Sequence, residues 1–324
     1  MKILVTGGLG LIGHNVVQRL EANEHELFIT DTRTNYGIIP QAELDYLMSE
    51  RLKKISGNNI YRIDITSADN FGWLVDKHRP EVIVHCASFP RQKVVNADPA
   101  AGADVMMRGL INMLESAKNN NVKRFVYISS SMVYGDFENY VTEDAVCRPQ
   151  GQYGIMKLAG EWLVKDYSRK YGFEYVIIRP SAVYGPLDVE DRVVSKFMLT
   201  AMRGGVLRVN GARETLDFTY VDDAADGIVS AVTTTSASNC TFNITKSHST
   251  SLLQAAEMIV RLVGTGSIEV RDKDADFPSR GALDITQARN ILKFNPQVDV
   301  YEGFEAYHTW LTNSHYWSPY LGRA

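Results

Sequence analysis

Cysteine is scarce in this chain. Cys86, Cys147 and Cys240 are scattered through 324 residues, odd in number and without metal-ligand spacing. That argues against a disulfide framework and a thiolate metal site, and makes free thiols in a reducing, cytoplasmic setting the expectation. Metal spacing is also missing around His248, His308 and His315, so no metal is expected. No run of about 18 apolar residues occurs, so no membrane span is expected. The apolar strand that opens the chain is not expected to be a signal peptide. There is no block of basic residues: 34 Lys and Arg face 38 Asp and Glu, a net charge of −4. Nucleic acid is therefore not an expected partner. No internal repeat and no low-complexity linker appears. What is present, 45% hydrophobic and 22% charged residues, suits a globular chain of one large or two ordinary domains.

Glycine is concentrated at the start. Lys2 to Thr6 is too short for a helix and suits a buried strand. Gly7, Gly8, Gly10 and Gly13 follow, and then Ile12, Val16, Val17 and Leu20 recur at helical spacing. Strand, glycine turn and helix thus abut. Glycine is needed where φ is positive or backbone must approach a ligand. A helix starting near Leu11 points its free N–H groups and positive dipole end at the turn, which suits a pyrophosphate. An ordinary strand–helix turn could carry the same triplet. The next apolar run, Glu26 to Thr30, ends at Asp31, 18 residues after Gly13 (31 − 13). An acidic residue at about that distance accepts hydrogen bonds from an adenosine ribose and repels a 2′-phosphate, so NAD is expected, with Arg33 leaving NADP open.

Strands are expected at Lys2–Thr6, Glu26–Thr30, Asn59–Ile63, Val82–His85, Arg124–Ser129 and Tyr175–Arg179, and helices at about 11–23, 42–55, 67–78, 100–120 and 153–171. Several strands are apolar on both faces, as in Phe125 to Ile128, the mark of a parallel sheet covered on both sides. The expected fold is an α/β, doubly wound, Rossmann-type parallel sheet, its ligands at the carboxyl ends of the strands. After about 180 the pattern loosens. Helices near 193–203, 221–233, 251–263, 286–293 and 301–313 alternate with short strands. Residues 1–179 are read as a dinucleotide-binding domain and 180–324 as a smaller α/β substrate domain, partly interleaved with the first.

The strand ends supply Asp64-Ile65, His85-Cys-Ala-Ser88 and Ser129-Ser-Ser-Met-Val-Tyr-Gly135. Tyr153 and Lys157 are four apart and share a helix face. A phenol is a weak base at a pKa of about 10. A neighbouring ammonium favours its phenolate, and a serine hydroxyl could hydrogen-bond the substrate oxygen that loses its proton. Together they make a general base or acid facing a hydride acceptor.

Taken together these stretches resemble the extended short-chain dehydrogenase/reductases, in the nucleotide-sugar epimerase and dehydratase group. The resemblance rests on Thr6-Gly-Gly-Leu-Gly-Leu-Ile-Gly13, Asp64-Ile65, Ser129 to Gly135, Tyr153-x-x-x-Lys157, Arg179-Pro-Ser-Ala-Val-Tyr-Gly-Pro186, Asp217-Phe-Thr-Tyr-Val-Asp-Asp223 and Arg280 to Asp284. It implies a catalytic set of Ser130, Tyr153 and Lys157, with Ser131 as a stand-in. It implies NAD contacts from Gly7, Gly10, Leu11, Ile12, Gly13, Asp31, Asp64, Ile65, Ala87, Ser129, Tyr153, Lys157 and Pro180. Ser131 and Met132 stand where the group's 4,6-dehydratases carry an Asp-Glu pair, so elimination lacks its acid. Epimerisation of a nucleotide-diphosphate sugar by transient oxidation is the implied reaction; a sugar dehydrogenase or keto-sugar reductase is the alternative. Met106, Met156, Ala182 and Leu216 replace an Asn, a Ser, an Asn and an Arg common in the group. Without the Arg, the substrate is expected to be held by Ser130, Ser131, Tyr153, Arg213 and Arg280. The helices at 100–120 and 153–171 imply a homodimer.

Other residues have plainer expectations. His85 reads as a packed histidine, and Tyr134 and Tyr184 as packing behind the site. Arg91 and Lys93 are equally a solvated loop or an anion contact. Asp222 and Asp223 read as helix N-caps. Trp310, Tyr316, Trp317 and Tyr320 read as a packed terminal helix.

Overall fold

The protein's structure, a computed structural model, describes residues 1–56, 59–89, 91–275 and 277–317; Tyr320 lies outside them. Short, two-sided apolar strands build the centre: β1 (Lys2–Thr6), β2 (Glu26–Thr30), β3 (Ile60–Tyr61), β4 (Val82–His85), β5 (Arg124–Ile128) and β6 (Glu174–Pro180). Four strands, β7 (Val183–Tyr184), β8 (Val206–Asn210), β9 (Thr215–Asp217) and β10 (Thr219–Tyr220), leave this sheet. The chain then returns, and β11 (Cys240–Ile244) pairs with β6 as a seventh parallel strand. The order is β11-β6-β5-β4-β1-β2-β3. Two further strands, β12 (Ser249–Ser251) and β13 (Ser267–Arg271), pair with β9 and β8.

Side chains alternate across each strand, so one strand feeds two cores. Ile3, Val5, Val82, Val84, Val126 and Ile128 pack against α1 (Leu11–Ala22). Leu4, Ile83, Phe125 and Tyr127 pack on the other face against α3 (Ala68–His78) and α6 (Gly109–Asn119). Between them in sequence come α2 (Gln41–Lys53), α4 (Gln92–Ala97) and α5 (Pro99–Ala103). The next helix, α7 (Gly151–Tyr171), carries the Tyr-Lys pair.

The expected helix at 100–120 runs over 99–119 as three contiguous segments. Pro99 starts α5 with Asp98 capping the Ala101 N–H at 3.0 Å, and a π-turn at Asp104–Arg108 precedes α6. At the joint a Cβ on Gly109 would lie 2.7 Å from Ile65, so the helix closes onto the Asp64-Ile65 loop. The expected strand at Asn59–Ile63 shrinks to Ile60–Tyr61, as befits a sheet edge.

A second core gathers Tyr184, Phe197, Met198, Leu207, Phe218, Phe304 and Tyr307. It is built by α8 (Val193–Met202), α10 (Leu252–Val263) and α12 (Val300–Asn313) with the short strands. From the same half of the chain, α9 (Val221–Thr233) and α11 (Thr286–Leu292) cross back to cover the first sheet face. The terminal aromatics do pack: Tyr316 stacks on Tyr46 at 5.1 Å and Trp317 is buried. The three cysteines are free. Among the described residues, no helix is long and apolar enough to cross a membrane.

Candidate functional site

The glycine turn is a cradle that side chains would fill. Gly7 has φ +65°, and a Cβ there would lie 2.6 Å from the Ala87 backbone nitrogen. On Gly13 a Cβ would lie 2.1 Å from the Gly7 carbonyl oxygen. Gly10 donates its N–H to that same carbonyl at 3.0 Å and is the N-cap of α1, which has no side-chain cap. The helix end at Leu11 and Ile12 therefore faces the cavity bare. Asp31 ties the turn to β2: its carboxylate accepts the Leu9 N–H at 3.0 Å and the Arg33 N–H at 2.8 Å. Asp64 accepts from the Thr66 N–H and hydroxyl, each at 2.8 Å.

These residues open into one cavity of about 1110 Å³. Every expected cofactor-side position lines it: Gly7, Gly10, Leu11, Ile12, Gly13, Asp31, Asp64, Ile65, Ala87, Ser129, Tyr153, Lys157 and Pro180. So do Ser130, Ser131, Met132 and Arg280. Arg213 does not. It is exposed on the β8–β9 turn and is not among the residues that line the cavity. Arg208, two residues before the end of β8, and Lys273 line the cavity instead.

At the carboxyl end of β5 the chain makes a 3₁₀ turn at Ser131–Val133, capped by Ser130, whose Oγ accepts the Met132 N–H at 3.2 Å. Burial raises the Tyr153 phenol, while Arg192 and a hydrogen bond with the Ser130 hydroxyl pull it down. Lys157 donates its Nζ proton to the Ile128 carbonyl at 2.8 Å and lies 5.8 Å from the Tyr153 ring centre. Its ammonium is pushed down to about 8 by burial, with Cys86 and Glu161 acting against that. Arg192 is thus a further cation acting on Tyr153, beside the lysine over its ring. No spacing rule links Arg192 to Tyr153; only the fold joins them. The hydroxyl of Ser131 is buried without a partner among the described residues and lines the cavity.

On the substrate side, Arg280 keeps a buried Nε with no partner among the described residues, and burial lowers its guanidinium to about 10 against the pull of Glu214. Leu216 is buried, and Ala182 holds φ +37° on the cavity wall. Met106 and Met156 join Phe89, Val94, Val95 and Tyr153 in an apolar cluster. Arg91 is ion-paired with Asp191, and Lys93 lies 3.9 Å from the same carboxylate.

The flanking expectations divide. His85 is packed and hydrogen-bonded to the Thr6 hydroxyl at 2.8 Å. Tyr134 and Tyr184 are buried; the Tyr134 hydroxyl donates to Asn243 at 2.8 Å. Asp222 and Asp223 are not N-caps, because Tyr220 holds that position. Asp222 pairs with Arg19 at 3.0 Å, and Asp223 accepts the Gln297 and Val298 N–H groups, each at 2.9 Å. Among the described residues no acidic, Cys and His cluster could hold a metal.

The glycine cradle at a bare helix end and Ser130, Tyr153 and Lys157 line one cavity of a doubly wound sheet, a fold whose ligands bind outside the carboxyl ends of its strands. The chain belongs to the NAD dependent epimerase/dehydratase family, whose model matches residues 3–245. It is 30% identical over 323 residues to a putative UDP-glucose 4-epimerase of Methanocaldococcus jannaschii, covering 96% of this chain and 99% of that one. It is 31% identical over 313 residues to a UDP-glucose 4-epimerase of Mycolicibacterium smegmatis, covering 94% and 96%. Among solved structures it resembles the UDP-glucuronic acid 4-epimerase of Bacillus cereus in complex with UDP-glucuronic acid and NAD. That match has TM-score 0.88 and 27% identity over 96% of this chain and 98% of that one.

Proposed function

We propose that this chain is an NAD-dependent epimerase of a nucleotide-diphosphate sugar that inverts one carbon by transient oxidation and re-reduction. The observation that carries the reading is the meeting of Ser130, Tyr153 and Lys157 with the glycine cradle in one cavity. The cradle has the contours NAD requires: a Cβ would fill it at Gly7 and Gly13, and the α1 N-terminus offers unshared N–H groups. Asp31 and Asp64 would hold the adenosine end, and Ala87, Ser129 and Pro180 the nicotinamide end. When bound, NAD supplies the hydride acceptor and then the hydride donor.

The chain's own part is proton handling and placement. Tyr153 takes the proton from a sugar hydroxyl and later returns it. Ser130 hydrogen-bonds the same oxygen, with Ser131 beside it. Lys157 contributes charge and a donor at the ribose. Met132, apolar and buried at the expected acid position, leaves elimination without a proton source. Arg280 binds the diphosphate. Residues 1–179 hold the dinucleotide and 180–324 shape the substrate pocket. The exposed Ile111, Ile155 and Trp162 on α6 and α7 support a homodimer, with a solution mass twice 36.3 kDa. The widely spaced free cysteines support a cytoplasmic setting.

The test is incubation of the purified chain with UDP-glucose and UDP-glucuronate. The expected outcome is a stereoisomer without net NADH. Stoichiometric NADH formation would overturn the reading in favour of a dehydrogenase, and stoichiometric NADH consumption with a keto sugar in favour of a reductase. Tyr153→Phe is expected to lose at least about 100-fold in turnover while retaining NAD.

A further inference from the structure

Eight residues beyond the catalytic tyrosine, and on the same face of α7, a carboxylate is buried. Glu161 is 1% exposed. Its oxygens are all engaged by two residues from two different strand ends. Ser129, just past β5, donates its hydroxyl to Oε1 at 2.5 Å. Arg179, the next-to-last residue of β6, donates Nε to Oε1 at 2.9 Å and an NH₂ group to Oε2 at 2.7 Å. Ser129 precedes Ser130, and Arg179 precedes Pro180, Ser181 and Ala182 on the cavity wall.

The network continues through Arg179, which donates to the Tyr134 hydroxyl at 2.9 Å and to the Glu143 carbonyl at 3.0 Å. Tyr134 donates to Asn243 on β11 at 2.8 Å, and the Asn243 amide donates to the Asp284 carbonyl at 2.9 Å. One buried carboxylate thus joins the helix bearing Tyr153 and Lys157 to both strand ends that flank them, and indirectly to the segment after Arg280.

We propose that Glu161 is a positioning residue of the epimerisation site: it fixes the Ser129–Ser131 turn and the Pro180–Ala182 wall in register with Tyr153 and Lys157. A strongly paired arginine in a dry interior is rigid when every guanidinium nitrogen has a partner, as in Arg179. Groups on separate elements that must meet within tenths of an ångström need such a shared anchor. Glu161 also acts on Lys157 through charge, supporting its ammonium. The other groups facing that ammonium are the Tyr127 ring at 5.3 Å, the Tyr153 ring at 5.8 Å, the Cys86 thiol and the neutral His85.

The inference rests on the epimerase reading, and two variants test it with one readout independent of turnover. Ser129→Ala removes the serine tie and leaves the ion pair and the Ser129 backbone at the cofactor end in place. It is expected to lower kcat about tenfold, the size of one charge-assisted hydrogen bond, with KM little changed. Glu161→Gln is expected to lower kcat about 100-fold and to move the alkaline limb of the pH–rate profile to lower pH, because the Lys157 ammonium loses its support. Loss of packing alone would leave that limb in place. Amide hydrogen exchange of residues 129–134 is expected to quicken in both variants, without cofactor or substrate. Should Glu161→Gln fail to fold, Ser129→Ala decides. Unchanged exchange in Ser129→Ala, or a kcat within about twofold of the parent, overturns the proposal. A parent that makes no stereoisomer overturns the epimerase reading alone, and exchange still judges the positioning role.

Discussion

Gly7→Ala perturbs the cradle at its tightest point, and its cost can be built from two parts. The backbone there has φ +65°. An L-residue with a Cβ in that region is strained by roughly 1–2 kcal/mol. The added methyl then meets backbone: the Ala87 nitrogen at 2.6 Å, its Cα at 2.7 Å and the Cys86 carbonyl carbon at 2.9 Å. Backbone cannot swing aside as a side chain can, so an overpacking cost of about 1–3 kcal/mol is added. The expected loss is about 2–5 kcal/mol, a fall in Tm of roughly 3–7 °C for a chain of 324 residues. Separating β1 from the segment after β4 also spoils the surface on which a dinucleotide would lie. Isothermal calorimetry with NAD should therefore show at least about tenfold weaker binding beyond what unfolding explains. The paired measurement is calorimetric melting of parent and variant without ligand. A variant that melts within about 2 °C of the parent and binds NAD equally well would refute the argument that this glycine is sterically required.

Three further outcomes are expected. Ala182 holds φ +37° without being glycine, so Ala182→Asn, a residue tolerant of left-handed backbone with room in the cavity, should raise stability by about 0.5–1 kcal/mol, read from urea midpoints. His14 is buried with its pKa lowered to about 3, first by burial and then by Arg51; its Nδ1 donates to Gly10 at 2.8 Å and its Nε2 accepts from Asn15 at 3.1 Å. An unfolded His14 takes up a proton near pH 6.5, so its contribution is complete above that pH and is lost as pH falls towards 3, at about 1.4 kcal/mol per unit. Melting temperatures from pH 7 to 4.5 should accordingly fall less steeply in His14→Gln, and equal slopes would count against it. Arg280→Leu should weaken binding of a UDP-sugar by about 10–100-fold and leave NAD affinity intact, by calorimetry.

What the residues revealed in advance was local. The glycine turn, the two-faced strands and the i, i+4 pairing of Tyr153 with Lys157 depend on neighbours within one turn or one strand, and each is placed as its spacing implies. Contacts made across the fold were not readable. Arg192 acts on Tyr153 from 39 positions away (192 − 153) by way of the loop before α8. Arg51 reaches back from α2 to donate to the carbonyls of Leu9 at 2.7 Å and Leu187 at 2.6 Å. Proximity in sequence to Leu216 did not bring Arg213 into the cavity lining, because it falls on the exposed β8–β9 turn. Asp223 resembled a cap because it opens a helix, yet its carboxylate serves the N–H groups of a loop 74 residues later. The π-turn at Asp104–Arg108 had no signal in hydrophobic period, since one extra residue barely alters the pattern.

The return of β11 to β6 has a bearing on how the chain is made. At a synthesis rate of about 5–20 residues per second, the stretch between the end of β6 and the end of β11 takes roughly 3–13 s to appear. Through that interval β6 carries an unpaired edge of buried, branched residues, Val176, Ile177 and Ile178. A bare edge of that kind is a template for pairing with another nascent chain. Slow codons or a stall between residues 180 and 244 would lengthen this exposure, and a chaperone that shields strand edges would matter most in that window.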